Sequence, residues 1–125
     1  MNFDGSNIRF NRRDALSLWH GITLQSVLAV GPDLSSRQFA ILTTIYLENG
    51  PHTVRSLARK LEVTKAVICR ALQTLIKYDF IRRLPDPSDK RSVIIERTGR
   101  GSAYLSAFAD QIVALVRPAL PSKAA

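Results

Sequence analysis

One helix with a defined start and two unlike faces constrains this chain more than any other stretch. It lies within Leu61-Glu62-Val63-Thr64-Lys65-Ala66-Val67-Ile68-Cys69-Arg70-Ala71-Leu72-Gln73-Thr74-Leu75-Ile76. Thr64 is an N-cap candidate, because its hydroxyl can accept a hydrogen bond from a first-turn backbone N–H. Ile68, Leu72, Leu75 and Ile76 then recur at helical spacing and form one apolar face. The other face carries Lys65, Ala66, Cys69, Arg70, Gln73 and Lys77. It is basic and amide-bearing, small near its start, and holds no acid. A helix that enters the DNA major groove needs those properties.

The flanking sequence supplies a scaffold for it. Ahead lies Thr53, a cap for a short helix whose core residues are Val54, Leu57, Ala58 and Leu61. Glu62-Val63 turns that helix into the next, so the pair reads as a helix-turn-helix. Behind it, Asp79 sits where the chain must reverse. Phe80–Leu84 reads as a strand, Pro85-Asp86-Pro87-Ser88-Asp89 as a dense turn cluster, and Ser92–Arg97 as a second strand. A helix-turn-helix followed directly by a hairpin is a winged helix. The expected fold is mainly α with a small β-hairpin (α+β), with helical segments at both ends.

Those ends follow the same logic. Residues 1–10 read as an arm. From Arg12 to Val30, Leu16, Leu18, Trp19, Ile22, Val27 and Leu28 make a helix too widely apolar for one buried side, so one face is expected to meet its own domain and another a second chain. Gly31-Pro32-Asp33 stops it. Ser35 with Gln38 forms a capping-box pattern for a helix carrying Phe39, Leu42, Ile45 and Tyr46, ended by Asn49-Gly50-Pro51. Thr98 caps a last helix through Tyr104, Leu105, Phe108, Ile112, Leu115 and Val116, stopped at Pro118 with a short tail after it.

Charge points the same way. Among 125 residues, 18 Lys and Arg stand against 10 Asp and Glu, a net charge of +8. Twelve of those cations and five of those acids fall between residues 51 and 100. Such a balance favours a polyanionic partner, nucleic acid before membrane, or else marks a basic surface with no partner. The length suits one domain with a core. The single cysteine excludes an internal disulfide, so a reducing cytoplasm is the simplest home. Met1–Phe10 lacks the apolar run of a signal peptide, and no stretch reaches a membrane span of about 18 apolar residues.

At this point the chain resembles the MarR family of bacterial transcription regulators. The resemblance covers residues 34 to 105: Leu34-Ser35 with Gln38, Thr53 with Leu57-Ala58, Leu61, Val63-Thr64-Lys65, Arg70, Leu75, Ile81-Arg82-Arg83, Asp86, Asp89-Lys90-Arg91, and Thr98 with Gly101. It implies a homodimer, with two winged lobes on a roughly palindromic operator and the first and last helices forming the interface. Residues 1–33 are then an arm and dimerisation helix, 34–97 the DNA-binding domain, and 98–125 a dimerisation helix and tail. Leu16, Trp19, Leu105, Phe108 and Ile112 are the candidate interface residues. There are three departures. Asp79-Phe80 replaces Gly-Leu. Arg97 stands where an apolar residue is usual, and is expected to point outward or to pair with Glu96 or Asp110. The C-terminal segment is short.

The candidate DNA contacts divide into three sets. For base readout they are Thr64, Lys65, Ala66, Cys69, Arg70 and Gln73, since Arg can bond guanine and Gln adenine at two points. In the wing they are Asp89, Lys90 and Arg91. There Asp89 is expected to aim the Arg91 guanidinium toward the minor groove, and Lys90 to touch phosphate. Phosphate candidates are Thr53, Arg55, Lys77, Arg82 and Arg83, through helix N-termini and cationic side chains. The bland alternative for each set is a solvated face, a surface ion pair or an ordinary cap. Cys69 reads as a small filler, with a redox-sensitive thiol as the alternative.

His20 and His52 have no Cys, Asp or Glu at metal-ligand spacing, so no metal or cofactor is expected. No Gly-rich phosphate loop or Gly-x-Ser-x-Gly supports catalysis, and no enzyme is expected. Relatives of this family bind aromatic acids, and Trp19, His20, Tyr46 and Arg12 or Arg13 could line a site for a small aromatic effector; they also suit a core or interface. The expected function is a sequence-specific duplex-DNA-binding regulator, a repressor acting as a homodimer, with the helix in the major groove and the wing in the minor groove. The competing reading is a winged helix for architectural or non-specific DNA binding, or for protein contact.

Overall fold

Every helix starts on a side chain that accepts a backbone N–H of its own first turn. The computed structural model describes residues 10–116. In them α1 spans Arg12–Leu28, α2 Ser36–Leu47, α3 Val54–Leu61 and α4 Lys65–Lys77; β1 is Ile81–Asp86, β2 is Asp89–Arg97, and α5 is Gly99–Val116. The caps are Asn11, Ser35, Thr53 and Thr64, and Thr98 Oγ1 accepts the Gly101 N–H at 3.0 Å. Such a cap typically contributes about 1 kcal/mol. Ser35 and Gln38 form the expected capping box. The Asn11–Asp14 and Thr53–Ser56 boxes were not anticipated. The arm to residue 9, Pro118 and the tail lie outside the described residues.

The chain divides into two compact units, Leu34–Leu105 and the remainder. The core of the first comes from three helices and the hairpin: Leu34, Ile41, Leu42, Ile45, Leu57, Ala58, Ile68, Ala71, Leu72, Leu75, Phe80, Ile81 and Ile95. Burying one such aliphatic side chain is worth about 1.5–3 kcal/mol. The face of α4 read as apolar is the face that is buried, with Ala71 joining it and Ile76 at its margin.

Two reversals need left-handed backbone. Glu62 (φ 55°) links α3 to α4, and Asp79 (φ 60°) follows α4. Asp tolerates this region better than most residues, so the turn survives without glycine. A polar knot holds the same corner. The Tyr46 hydroxyl donates to the Phe80 carbonyl (2.6 Å) and accepts the Thr98 N–H (3.0 Å), while Thr98 Oγ1 donates to the Asp79 carbonyl (2.6 Å). Gly101 is buried here, and a Cβ on it would overlap the Tyr46 hydroxyl and the Phe80 carbonyl. Tyr104 stacks on Phe80 at 4.4 Å between ring centres.

The hairpin is longer than its sequence suggests. Pairing runs from Ile81↔Arg97 to Pro85↔Val93, then shifts so that Asp86 faces Asp89. The cluster read as a loop therefore contributes strand, and the turn shrinks to Pro87-Ser88. The Asp86 carboxylate is the reason: its Oδ1 accepts both the Ser88 N–H (2.9 Å) and the Ser88 hydroxyl (2.7 Å), which closes a tight Asx turn. His52 adds an isolated bridge on the far edge of β2, where its carbonyl accepts the Ile95 N–H at 2.8 Å.

Arg97 is exposed, as the outward alternative had it, yet its guanidinium is engaged by backbone. It pairs with neither Glu96 nor Asp110. Its Nε donates to the Ile45 carbonyl (2.9 Å) and its Nη2 to that of Glu48 (3.4 Å), with the guanidinium over the Tyr46 ring. The carbonyls at the end of α2 lack helical partners, and a cation satisfies them there. His52 Nε2 lies 3.0 Å from the same Glu48 carbonyl.

In the second unit, Leu115 Cδ1 lies 3.2 Å from the Cβ position of Gly21, a close approach of α5 to α1. None of the α1 residues is buried, and Leu16 and Trp19 are 69% and 61% exposed. Leu18, Gly21, Ile22 and Gln25 are half-buried along one face of α1, so the expected inward face is present but only partly covered.

Candidate nucleic-acid interface

The exposed side of α4 is set by its buried side. With Ile68, Ala71, Leu72 and Leu75 inward, Lys65, Ala66, Arg70, Gln73 and Lys77 stand in solvent and Cys69 is half-buried. Thr64 is committed to the helix: its Oγ1 accepts the Val67 N–H at 3.3 Å. The guanidinium of Arg70 and the ammonium of Lys65 make no ion pair among the described residues. The face is therefore cationic and unneutralised.

A groove of about 510 Å³ opens beside the start of α4. It is lined by Thr53, Val54 and Arg55 at the start of α3, by Lys65, and by Asp89, Arg91, Ser92 and Val93 of the wing. Five candidate residues from three separate stretches thus meet in one place. At the α3 end, Thr53 Oγ1 accepts the Ser56 N–H (3.0 Å) and Ser56 Oγ accepts that of Thr53 (2.9 Å). Val54 and Arg55 keep N–H groups with no acceptor among the described residues. Three cations against the one carboxylate of Asp89, two such donors and a helix N-terminus favour an anion here.

The wing positions Arg91 by a route different from the expected one. Asp89 Oδ1 accepts the Arg91 backbone N–H at 2.9 Å, and the two side chains make no ion pair. A carboxylate two residues upstream is within reach of that N–H in an Asx turn, and the exposed guanidinium stays in water. The register shift leaves Lys90, Arg91 and Ser92 with no residue opposite them in the ladder. Lys90 is exposed and lies outside the groove lining. The Asp86 carboxyl is held below its ordinary value, first by the Ser88 hydroxyl and then by the Ser88 N–H.

The other candidates are dispersed. Arg82 pairs with Glu96 at 3.3 Å, an exposed pair worth little in salt; Arg83 and Lys77 are exposed. Leu105 packs against the core of its own unit, and Phe108 and Ile112 are half-buried. The Tyr46 hydroxyl is occupied by backbone. Among the described residues, no three of His, Cys, Asp and Glu gather as metal ligands, and no helix is long and apolar enough to cross a membrane.

Sequence reasoning missed Arg37. It lines a second groove, of about 210 Å³, with Ser35, Gln38, Val67, Arg70, Ala71 and Thr74. Only the facing of α2 and α4 reveals it.

Residues 34–93 match the model of the MarR family. The chain is 34% identical over 80 residues to the HTH-type transcriptional repressor NicR of Pseudomonas putida, an alignment covering 64% of this chain and 50% of NicR. It is 35% identical over 71 residues to the multiple antibiotic resistance protein MarR of Salmonella typhimurium, covering 57% and 49%. The chain thus spans about half the length of the curated relatives it matches. A mutant of S. aureus MepR, solved bound to an oligodeoxyribonucleotide, superposes with a TM-score of 0.76 at 20% identity, over 90% of this chain and 81% of that one; at that identity the likeness concerns the fold. Five helices with a two-stranded wing, and a family match over the unit that contains the groove, lead to one conclusion: residues 34–93 of this chain form a winged helix that matches the MarR family.

Proposed function

We propose that this chain is a sequence-specific duplex-DNA-binding transcription regulator, a repressor that works as a homodimer in the cytoplasm. The α4 face enters the major groove and the wing follows the minor groove. The observation that carries this is the groove where Thr53, Arg55, Lys65 and Arg91 converge with no cation neutralised. Arg70 and Gln73 have the functional groups to read base edges, and Arg91 stands on a wing whose backbone Asp89 fixes. Residues 34–97 serve DNA binding, while 1–33 and 98–125 serve dimerisation. Exposed Leu16 and Trp19 are the surface that supports the latter. The names of NicR, a transcriptional repressor, and of two relatives named as transcriptional regulators favour control of a promoter over an architectural role.

Mobility-shift titration against random-sequence and selected duplexes tests the reading. It predicts tighter binding to selected DNA, with log affinity falling linearly with log salt. Equal affinity for both pools would favour the architectural role. Sedimentation equilibrium should give twice the chain mass. A small aromatic effector belongs to this reading on sequence grounds. Trp19 is the chain's single tryptophan, so titrating its fluorescence with an aromatic acid tests that part directly.

A further inference from the structure

Helix α4 has two flanks, and the wing-side groove lies on only one. At about 100° per residue, Lys65 lies about 80° to one side of Gln73, and Thr74 about 100° to the other. On the Thr74 flank is the second groove, formed by Val67, Arg70 and Thr74 of α4 with Ser35, Arg37 and Gln38 of α2. Its lining carries two guanidiniums and no carboxylate. Neither guanidinium makes an ion pair among the described residues.

The two grooves are built alike. Ser35-Ser36-Arg37-Gln38 opens α2 as Thr53-Val54-Arg55-Ser56 opens α3. In each, the cap hydroxyl accepts the N–H of the third helical residue, at 3.1 and 3.0 Å. In each, the third side chain accepts the N–H of the cap, at 2.8 and 2.9 Å. In each, an arginine holds the second helical position and lines a groove against α4. The similarity matters because a helix in a major groove about 12 Å wide runs between two phosphate walls, one from each strand. A clamp on one flank fixes its distance from one wall and leaves it able to roll.

Resting on the duplex-binding reading, we propose that the Arg37–Arg70 groove seats the phosphate backbone of one strand while the wing-side groove seats the other. Arg37 is then a positioning residue for DNA that reads no base. Arg70 stands at the border of the readout face and the second clamp.

The test compares wild type, Arg37→Ala and Arg37→Lys on a random-sequence duplex across a salt series. Arg37 is exposed and its guanidinium has no ion-pair partner among the described residues, so the thermal midpoint should not move. Arg37→Ala should bind several-fold more weakly on every sequence, with a salt slope smaller by about 0.9, the change expected when one phosphate is no longer neutralised. Arg37→Lys should keep the slope. Methylphosphonates placed one at a time in a selected duplex should weaken wild type at two clusters on opposite strands, and Arg37→Ala should lose sensitivity to one cluster only. Wild-type affinity and slope in Arg37→Ala, or both clusters persisting, would overturn the second clamp while leaving duplex binding intact. If wild type binds no duplex, the functional reading fails and the clamp with it.

Discussion

Asp89 holds Arg91 by its backbone: Oδ1 of the acid accepts the arginine N–H at 2.9 Å, and no ion pair joins the two side chains. The acid therefore shapes the strand at the wing edge and leaves the guanidinium in solvent. The distinction is testable, because asparagine keeps the acceptor and loses the charge. Asp89→Asn should bind duplex DNA close to wild type. Asp89→Ala should bind about five-fold more weakly, the worth of one hydrogen bond of about 1 kcal/mol. Mobility shifts on one selected duplex would separate them, and equal losses in both variants would restore the ion-pair view.

The corner at Gly101 should be the least tolerant position in the unit Leu34–Leu105. Gly101→Ala sets a methyl against the Tyr46 hydroxyl and the Phe80 carbonyl, and overpacking of this kind costs about 1–3 kcal/mol. Tyr46→Phe removes the hydroxyl that serves Phe80 and Thr98, and should also cost about 1–3 kcal/mol. Urea unfolding should give less than additive loss for the double variant, because the methyl no longer meets a hydroxyl. Strict additivity would mean that the knot is not one unit.

Arg97→Ala should lower stability by on the order of 1 kcal/mol, since the Ile45 and Glu48 carbonyls at the end of α2 lose a donor. Hydrogen exchange should speed up in the last turn of α2. Protection unchanged there would show that water replaces the guanidinium without cost.

The wing turn carries a pH dependence. The folded Asp86 carboxyl is lowered from 3.8, chiefly by the Ser88 hydroxyl. Its contribution to the turn is therefore present above the ordinary carboxylate range and lost as pH falls below it. Near neutrality the turn should be insensitive to pH. Ser88→Ala removes the largest cause and should move the Asp86 titration, followed by NMR, back toward 3.8. An unmoved titration would place the cause elsewhere.

How much of the molecule was legible in the sequence depended on distance along the chain. The caps at Ser35, Thr53, Thr64 and Thr98 and the left-handed Asp79 were readable, because a cap or turn is decided within about four residues. The inward face of α4 was readable from its period. The true length of the hairpin was not: Pro85 to Asp89 has loop composition, and only the two bonds from Ser88 to Asp86 and a register shift extend the strands. His52, Arg97 and Arg37 were opaque for another reason. Each takes its role from an element brought near by tertiary packing, and periodicity carries no sign of which helix end needs a donor or which groove a cation will line.

If the α4 face and the wing together read duplex DNA, selection of bound genomic fragments should show it at once. Wild type would be run beside Arg70→Ala and Arg91→Ala. Wild type should enrich one roughly palindromic motif, Arg70→Ala a relaxed version of it, and Arg91→Ala should recover less DNA at every salt concentration. Fragments recovered by wild type without a shared motif, or the same motif and yield from all three proteins, would refute joint readout by helix and wing.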